Sequence, residues 1–398
     1  MGILVKKQKG IYVPTNIAKL SVVALIVSLS AAFIDTIWAL YFDSFLNNMT
    51  LVGFLSSVLT IVSFLSYFLF IPIIEKFNKV KIYSYSLFLL FFSYILFSIN
   101  RNFYLFLVLV LSVTVIYTFK ITSFGIIIRD NSKDRSVSNN QGIIYTLANI
   151  AWVVGPIISG FVFSFFGINK VFLLSALFLL FGLIIFNFSG IKDPKGKKRL
   201  DRNAFKNFKD FFKDKERRLA YILGGGVNTW WSFIYLFIPL MIIRSELSHI
   251  WIGYFLFAVA VPLILFEYFF AKLAGKKGFK KLFVGGYFLV SIIALVCFFI
   301  SNIYLILSLL VLASMGIAML EPTTEAYFLD LLKGKEKYRF YGPYNTAMDF
   351  GNFTGKIFSS VLLIFLPFKF LFILFGVMMF VLCLASFRIK KIIEIRRN

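Results

Sequence analysis

Long hydrophobic runs separated by short polar segments recur twelve times along the chain. The runs are continuous rather than alternating and are each about 20 residues long, which suits helices that cross a bilayer better than strands of a barrel. The predicted spans are roughly 18–42, 51–74, 81–99, 102–128, 143–164, 168–189, 219–243, 249–271, 281–300, 303–329, 343–365 and 368–388. The sequence therefore predicts an all-α polytopic membrane protein with twelve transmembrane helices.

The second half of the chain repeats the first at an offset of 200 residues, without a gap. Leu matches are frequent in so apolar a chain, so the repeat rests on aligned glycines and polar residues: Gly53 with Gly253, Lys76 with Lys276, Asn102 with Asn302, Asp130 with Asp330, and Gly155 with Gly355. Both halves carry the same charge pattern and so share one orientation, which requires an even number of spans in each. We expect two six-helix bundles related by an axis along the membrane normal.

The repeat and the composition set the expected segments of the chain. These are an N-terminal segment 1–17, a first bundle 18–189, a linker 190–218, a second bundle 219–388 and a basic tail 389–398. The linker opens with Gly and Pro and then places Phe205, Phe208, Phe211 and Phe212 at helical spacing among lysines. That spacing predicts an amphipathic helix at the membrane interface, which tethers the two halves.

Basic residues outnumber acidic ones by 42 to 18, which gives a net charge of +24, but their distribution argues against nucleic-acid binding. The linker alone holds twelve of them, whereas the loops on the opposite side hold only Arg101, Lys170, Arg244 and Lys369. This positive-inside bias predicts cytoplasmic termini, a multi-pass protein of the cell membrane and a basic surface that faces anionic lipids. Span 1 lacks a following cleavage site, so we expect a true span rather than a signal peptide.

Seven ionisable residues fall inside predicted spans, where a charge costs about 2.5–3.5 kcal/mol at a helix centre and commonly serves function. They are Asp35, Lys120, Glu267, Glu321, Glu325, Asp349 and Lys356. The two cysteines, Cys297 and Cys383, lie in separate spans, and the single His249 lies at an outer helix end. The sequence therefore predicts no disulfide framework, metal site or cofactor.

Five of these charges are candidates for coupling to protons and substrate: Asp35, Lys120, Glu321, Glu325 and Asp349. Lys120 aligns beside Glu321 in the repeat, so we expect the two to approach across a central cavity and pair when no substrate is bound. A carboxyl buried without a cation could take up a proton near neutral pH. The alternative is a static pair that fixes helix packing. Asp349 and Lys356 lie two turns apart on one helix face and could serve each other or Lys120.

Polar and aromatic residues within the spans complete a candidate pocket: Trp38, Asn149, Trp152, Asn228 and Trp230, together with Trp231. Aromatic residues are also enriched at membrane interfaces for reasons unrelated to a substrate. Trp230 and Trp231 lie about a dozen residues into span 7, and this depth favours the pocket interpretation for them.

Three local patterns carry a family resemblance. Residues 71–79 read IPIIEKFNK, residues 151–160 read AWVVGPIISG, and residues 33–38 read FIDTIW. With the six-plus-six repeat and the basic linker, they resemble the major facilitator superfamily of secondary transporters, and especially its drug and metabolite efflux branches. The match in 71–79 is degenerate, with Glu, Lys and Asn where the family favours Asp, Arg and Gly. In 151–160, Ala151 and Ser159 replace glycines.

The resemblance implies roles for particular residues. Helices 1, 4, 7 and 10 would line the cavity, and the acid of helix 1, Asp35, would exchange protons. Glu75 would cap helix 11 and Lys79 would meet Asp130, which would latch the inner side shut. Gly155, Pro156 and Gly160 would belong to an antiporter-type motif that is commoner in exporters. The alternatives are ordinary flanking charges for Lys76 and Lys79, and a plain packing seam for helix 5.

These features predict a secondary active transporter that alternates access to the two sides of the membrane, with proton-coupled export of a small organic or drug-like solute. The alternative is an uptake symporter or uniporter for a metabolite such as an organic anion or sugar. The expected partners are the solute, H⁺ or Na⁺, and anionic lipids, with the chain acting as a monomer. The predicted outer loops are too short for a catalytic cluster, so no enzyme activity is expected. A receptor or scaffold would gain nothing from charges on the cavity-lining helices.

Overall fold

The structure is a computed structural model that describes residues 15–132, 137–193, 204–332 and 336–390. Every regular element in these ranges is helical. The helices are α1 (Thr15–Leu46), α2 (Met49–Lys76), α3 (Lys79–Ile99), α4 (Phe103–Asp130), α5 (Val137–Phe166), α6 (Ile168–Phe188), α7 (Ala204–Phe211), α8 (Lys215–Ser232), a π-helical turn (Phe233–Phe237), α9 (Ile238–Arg244), α10 (Ile250–Lys277), α11 (Lys280–Phe298), α12 (Ile303–Leu331), α13 (Glu336–Phe365) and α14 (Phe370–Ser386).

All twelve predicted spans correspond to helices. Spans 1 to 6 are α1–α6, span 7 is α8 and α9 joined through the π-helical turn, and spans 8 to 12 are α10–α14. Within the described ranges, ten helical stretches are long and apolar enough to cross a membrane, and α14 is a shorter apolar helix. The remaining span, α13, carries Glu336, Arg339, Asp349 and Lys356, which lower its hydropathy. It begins at residue 336 rather than the predicted 343, because its first turns are polar and lie beyond the apolar run.

The bundle has two ends, which we name by the chain termini. The terminal face is where α1 begins at Thr15 and α14 ends at Ser386, and the distal face carries the connection at 47–48 and those that follow every second span. Asparagine side chains mark several helix starts by accepting backbone N–H groups: Asn48 begins α2, Asn78 begins α3 and Asn302 begins α12. These caps satisfy donors that a helix start leaves unpaired.

Each half of the chain packs mainly within itself. In the N-terminal half, α1 packs against α5 and α6, and α3 packs against α4 and α6. In the C-terminal half, α8 packs against α13, and α11 packs against α12 and α14. The two halves meet chiefly through two helix pairs, α2 with α13 and α5 with α10.

These two helix pairs touch through contacts that the 200-residue repeat relates to each other. A Cβ atom on Gly53 would strike Ser360, and a Cβ atom on Gly253 would lie 2.5 Å from the Pro156 carbonyl oxygen and 3.1 Å from Gly160 Cα. Adding 200 to 53 gives 253, and subtracting 200 from 360 gives 160. The contact of Gly53 with Ser360 and the contact of Gly253 with Gly160 are therefore equivalent in the repeat. The repeat therefore reappears as a pair of matched close approaches, which we call the distal seams.

Both distal seams lie toward the distal face, as do two further contacts between the halves. Arg244 at the end of α9 binds Asp43 near the end of α1, with 2.8 Å between Nη2 and Oδ1. The ring of His249 packs on Phe163, 4.4 Å between centroids. All described glycines whose added Cβ would meet the other half lie in this region. Among the described residues, these close contacts between the halves are thus concentrated toward the distal face.

The π-helical turn in span 7 was not predicted. Pro239 has no N–H to donate to the carbonyl four residues earlier, and the Ile238 N–H bonds to Phe233 O, five residues back. Proline and π-helical turns are recognised causes of such a local break in the helical ladder. The turn packs against α1 and α2, so it belongs to the contact between the halves.

The linker helix α7 docks on the C-terminal half. Phe211 is fully buried and contacts the rings of Tyr221, Phe328 and Phe340. The Arg339 guanidinium of α13 binds Asp210, and its Nε donates to Asn207 Oδ1 at 2.8 Å. Residues 194–203 of the predicted linker lie outside the described part of the chain, as do 1–14 and 391–398 of the predicted terminal segments.

Candidate substrate cavity and coupling residues

Asp35 is the exposed residue in an otherwise buried stretch of α1. Residues 30–34 and the following Thr36 and Ile37 are buried, whereas Asp35 is accessible to solvent although it lies deep within the bundle. It lies about three turns from the distal end of the 32-residue helix, within the membrane-spanning stretch. A residue that is both deep and accessible must line the space between the halves.

Two lysines from opposite halves act on Asp35. Lys120 of α4 and Lys356 of α13 both interact with its carboxylate electrostatically. Lys120 also lies over the Tyr117 ring, with 3.9 Å from Nζ to the centroid. Lys356 donates a hydrogen bond from Nζ to Thr60 Oγ1 of α2 at 3.1 Å and interacts with Asp349. Lys356 therefore connects the C-terminal half to the N-terminal half at mid-membrane depth.

Glu321 lies on the C-terminal side of the same space. It is exposed and yet deep in the protein, and its Oε2 accepts a hydrogen bond from Trp231 Nε1 at 3.1 Å. The expected pairing was with Lys120. Among the described residues, the electrostatic partner of Lys120 is Asp35, whereas that of Glu321 is Glu267 of α10. Leu320, which aligns with Lys120, is buried in its own half against Gly286 of α11.

The other two coupling candidates occupy α12 and α13. Glu325, one turn from Glu321, is exposed and accepts a hydrogen bond from the Tyr341 hydroxyl at 2.7 Å. Asp349 is half-buried and interacts electrostatically with Lys356, as its spacing on the helix allows. Glu325 therefore lies within the C-terminal half, toward the terminal face.

The aromatic candidates separate into cavity and core residues. Trp230 is fully buried and packs on Phe233 and Phe375, so it cannot line the cavity. Its neighbour Trp231 is accessible, because one step along a helix turns a side chain by about 100°. Asn228 and Tyr235 share the accessible side of span 7 with Trp231.

The candidates of the N-terminal half are partly accessible. Trp38 is half-buried and packs edge-on against Phe97 of α3, with centroids 5.5 Å apart, and it also contacts Phe42. On α5, Asn149 is exposed and Trp152 is half-buried, one turn apart on the terminal side of the distal seam. All three therefore stay predictions as cavity-lining residues.

The expected latch between spans 2 and 3 has a different partner. The backbone N–H of Lys79 donates to Asp193 Oδ2 at 3.0 Å, and its Nζ lies 3.9 Å from the same atom. Asp193 follows α6, which packs along α3, so its carboxylate reaches the positive N-terminal end of α3. Lys79 is paired there rather than with Asp130, which ends α4. The side chain of Glu75 lies outside the described part of the structure.

The pattern in α5 holds two helices at once. A Cβ atom on Gly155 would lie 2.5 Å from Ala32 Cβ of α1, and Ser159 Oγ donates to Phe33 O at 2.8 Å. On the adjoining side, Pro156 and Gly160 meet Gly253 of α10. The small residues of this pattern therefore bring α5 close to α1 of its own half on one side and close to α10 of the other half on the adjoining side.

The sequence patterns did not single out Tyr235, Thr60 or the ion pair of Asp43 with Arg244. Tyr235 follows Trp231 by one turn, so helical periodicity could have found it. The ion pair lies at near-equivalent positions of the repeat, 43 and 244, which is a detectable signal. Within the described residues, no group of three or more His, Cys, Asp or Glu side chains could hold a metal ion.

Solved transporter structures are similar to the whole chain, at low sequence identity. A POT family transporter in complex with 5-aminolevulinic acid gives a TM-score of 0.75 at 12% identity, covering 96% of this chain and 97% of that one. A bacterial homolog of the human lysosomal transporter Spinster, inward-facing and occupied, gives 0.71 at 11% identity, covering 94% and 95%. The human organic anion transporter MFSD10 (TETRAN) gives 0.68 at 12% identity, covering 94% and 100%.

A search of curated protein sequences gives no match. The sequence profile described as Major Facilitator Superfamily matches twice, over residues 20–261 and residues 231–394. The two matches together cover nearly the whole chain, and the helical architecture and the structural neighbours agree with them. The chain belongs to the major facilitator superfamily, and its fold is that of secondary transporters.

Proposed function

We propose that this protein is a proton-coupled secondary transporter that exports a small organic solute by alternating access. The observation that carries the proposal is the position of Asp35, an accessible carboxylate deep in the bundle with a lysine from each half acting on it. Intramembrane carboxylates on internal cavities are characteristic of proton relays.

Asp35 can hold a proton or neutralise Lys120 and Lys356, and these two roles exclude each other. Asp35 is on the N-terminal half and Lys356 on the C-terminal half, so proton binding removes an attraction between the halves. The same event leaves Lys356 with Thr60 and Asp349 as its partners. Proton occupancy would in this way bias the equilibrium between the two arrangements of the halves, which is the requirement for coupling.

The outward direction is supported by the α5 pattern, which resembles the antiporter motif of exporters and holds a distal seam. The proposed orientation places both termini and the basic linker in the cytoplasm, with the cell membrane as the location. The exposed lysines of α7 would then face anionic lipid heads. The cavity would open to the cytoplasm, ready to take up solute for export.

The test uses proteoliposomes that contain a pH-sensitive dye and carry an imposed proton gradient. Cationic drugs, organic acids and sugars are added separately to wild type and to Asp35→Asn, with Asp214→Asn, which keeps an N-cap residue at the start of α8, as the matched control. We expect one solute class to trigger proton flux in wild type and in the control, and Asp35→Asn to abolish that flux. Solute-independent flux, or flux unchanged in Asp35→Asn, would contradict proton exchange at this residue.

A second candidate is uptake of an organic anion by symport or uniport. Lys120 and Lys356 favour it, since both reach the space beside Asp35 and could bind a negative group once Asp35 is protonated. The structural similarity to an organic anion transporter is consistent with this alternative. Proton influx together with an organic acid, in place of exchange for a cation, would favour it over export.

A further inference from the structure

Glu321 is a deep carboxylate without a basic partner in the described part of the chain. Among the described residues it makes no ion pair with Lys or Arg, and its hydrogen-bond partner is the neutral indole of Trp231. The charged group that acts on it electrostatically is a second carboxylate, Glu267 of α10. A lone carboxylate in a region of low dielectric requires either a proton or a positively charged ligand.

The surroundings of Glu321 differ from those of the other cavity charges. Lys120 has Asp35, and Lys356 has Asp35 and Asp349, so the positive charges already have negative partners. The region around Glu321 contains two further acids, Glu267 and Glu325, and no described lysine or arginine is among the charges that act on Glu321. The electrostatic imbalance is therefore negative, and it is confined to the C-terminal side of the cavity.

Two aromatic rings lie beside Glu321. The rings of Trp231 and Tyr235 are 5.5 Å apart at an angle of 49°, and both side chains are partly accessible in an otherwise buried stretch of span 7. Tyr235 also interacts electrostatically with Glu321. Aromatic faces attract cations that have lost their hydration shell, and bulky apolar substituents pack well on them.

We propose that Glu321, Trp231 and Tyr235 form a subsite for the positive group of an amphipathic organic cation. The subsite rests on the proposed transport function and names its substrate class: a quaternary or delocalised cation with apolar substituents. Glu321 supplies the counter-charge, and the two rings enclose the cation. Glu267 increases the negative potential from the neighbouring helix.

Protons and the cation compete for the subsite. The titratable groups that face Glu321 are Tyr235 from span 7 and Glu267 from α10, with Asp35 acting on Tyr235 across the cavity. Neither tyrosine nor a carboxyl group can gain positive charge on protonation. Lower pH can therefore only reduce the negative potential, and cation binding should weaken as pH falls.

The experiment measures binding of radiolabelled tetraphenylphosphonium to the purified full chain in detergent by scintillation proximity. Glu321→Gln and Trp231→Leu are compared with Glu216→Gln and Trp251→Leu, which change the same side-chain types outside the cavity. We expect at least tenfold weaker binding in Glu321→Gln and about tenfold in Trp231→Leu, with the two controls within twofold of wild type. Neutral triphenylphosphine oxide should fail to displace the label, and wild-type affinity should fall between pH 8 and pH 5.

Equal displacement by triphenylphosphine oxide, or pH-independent binding to wild type, would overturn the charged subsite without requiring any variant to fold. Unchanged affinity in Glu321→Gln would overturn the assignment to this residue. Because binding is measured at equilibrium and without a membrane, it is separate from transport. Cation binding that depends on Glu321, in a protein that moves no protons in liposomes, would support the subsite and contradict the proposed function.

Discussion

The alanine substitution of Gly253 perturbs the closed distal side in a way that can be worked out from the structure. The added Cβ would lie 2.5 Å from the Pro156 carbonyl oxygen, 3.1 Å from Gly160 Cα and 3.3 Å from the Pro156 carbonyl carbon. All three atoms belong to the backbone of α5, so no side-chain rotation can relieve the contact. Restoring ordinary contact at 3.4–4 Å requires α5 and α10 to separate by about 1 Å.

Overpacking of this kind costs about 1–3 kcal/mol. The cost applies only while the distal seam is closed, because the two helices separate when the halves rock apart. A differential of about 1–3 kcal/mol changes the ratio of the two arrangements by about 5- to 150-fold. We therefore expect Gly253→Ala to shift the protein toward the arrangement that opens to the distal face.

The assay is pulsed electron spin resonance between spin labels at Arg101→Cys and Ser301→Cys, two exposed distal positions related by the repeat, in a background that lacks Cys297 and Cys383. Gly253→Ala should add or enlarge a long-distance population. Gly285→Ala is the control, since a Cβ there would meet nothing within 4 Å. Gly160→Ala, whose Cβ would lie 2.9 Å from Gly253 Cα, should reproduce the shift. Identical distance distributions in Gly253→Ala and Gly285→Ala would refute the seam as a closing contact.

Two further predictions concern charged contacts outside the cavity. Arg244→Gln removes the ion pair with Asp43, and because the Arg244 side chain is 44% exposed the effect should be below about 1 kcal/mol. The same spin labels should show a smaller shift than for Gly253→Ala, and 1 M salt should reproduce that shift in wild type. At the linker, Lys213 and Arg339 bind Asp210 and hold its pKa below the ordinary value. Docking of α7 should therefore persist above about pH 4 and weaken as pH falls through the depressed pKa. Hydrogen exchange at 204–211 should rise only in that acidic range, and Arg339→Gln should remove part of the pH dependence.

The spans and the repeat could be predicted because both depend only on the order of residue types along the chain. An apolar run of about 20 residues in a membrane protein has few conformations open to it other than a membrane-spanning helix. A gapless register of 200 residues then determines which helix of the first half is equivalent to which helix of the second. Gly53 and Gly253 were identified as aligned positions, and the structure shows that each contacts the opposite half. The main departures were at helix ends, where polar turns of α13 extend beyond the apolar run.

Partners within the cavity were harder to predict, because they depend on the rotation of each helix about its own axis. Trp230 and Trp231 are adjacent in the sequence, yet Trp230 lies in the core whereas Trp231 donates a hydrogen bond to Glu321. The π-helical turn after Ser232 changes that rotation again for the rest of span 7. The depth of a residue along its helix can be predicted from the sequence, whereas the direction in which its side chain points is set by the packing of the helices.

Long-range pairings were hard to predict for a related reason. Lys79 was expected to meet Asp130, but α6 runs beside α3 and brings Asp193 to the first turn of α3. That neighbour relation comes from the tertiary packing of six helices, and no local pattern encodes it. The resemblance to a family motif identified the loop but not the partner.

Exchange of protons for solute requires that binding of an organic cation release protons from the cavity carboxylates. Tetraphenylphosphonium is added to the purified protein in weakly buffered detergent solution, and the pH change is read with an indicator dye between pH 5 and pH 9. Wild type is expected to release protons, with less release by Glu321→Gln and by Asp35→Asn. Saturable binding of the cation with no proton released at any pH in that range would contradict exchange of protons for solute.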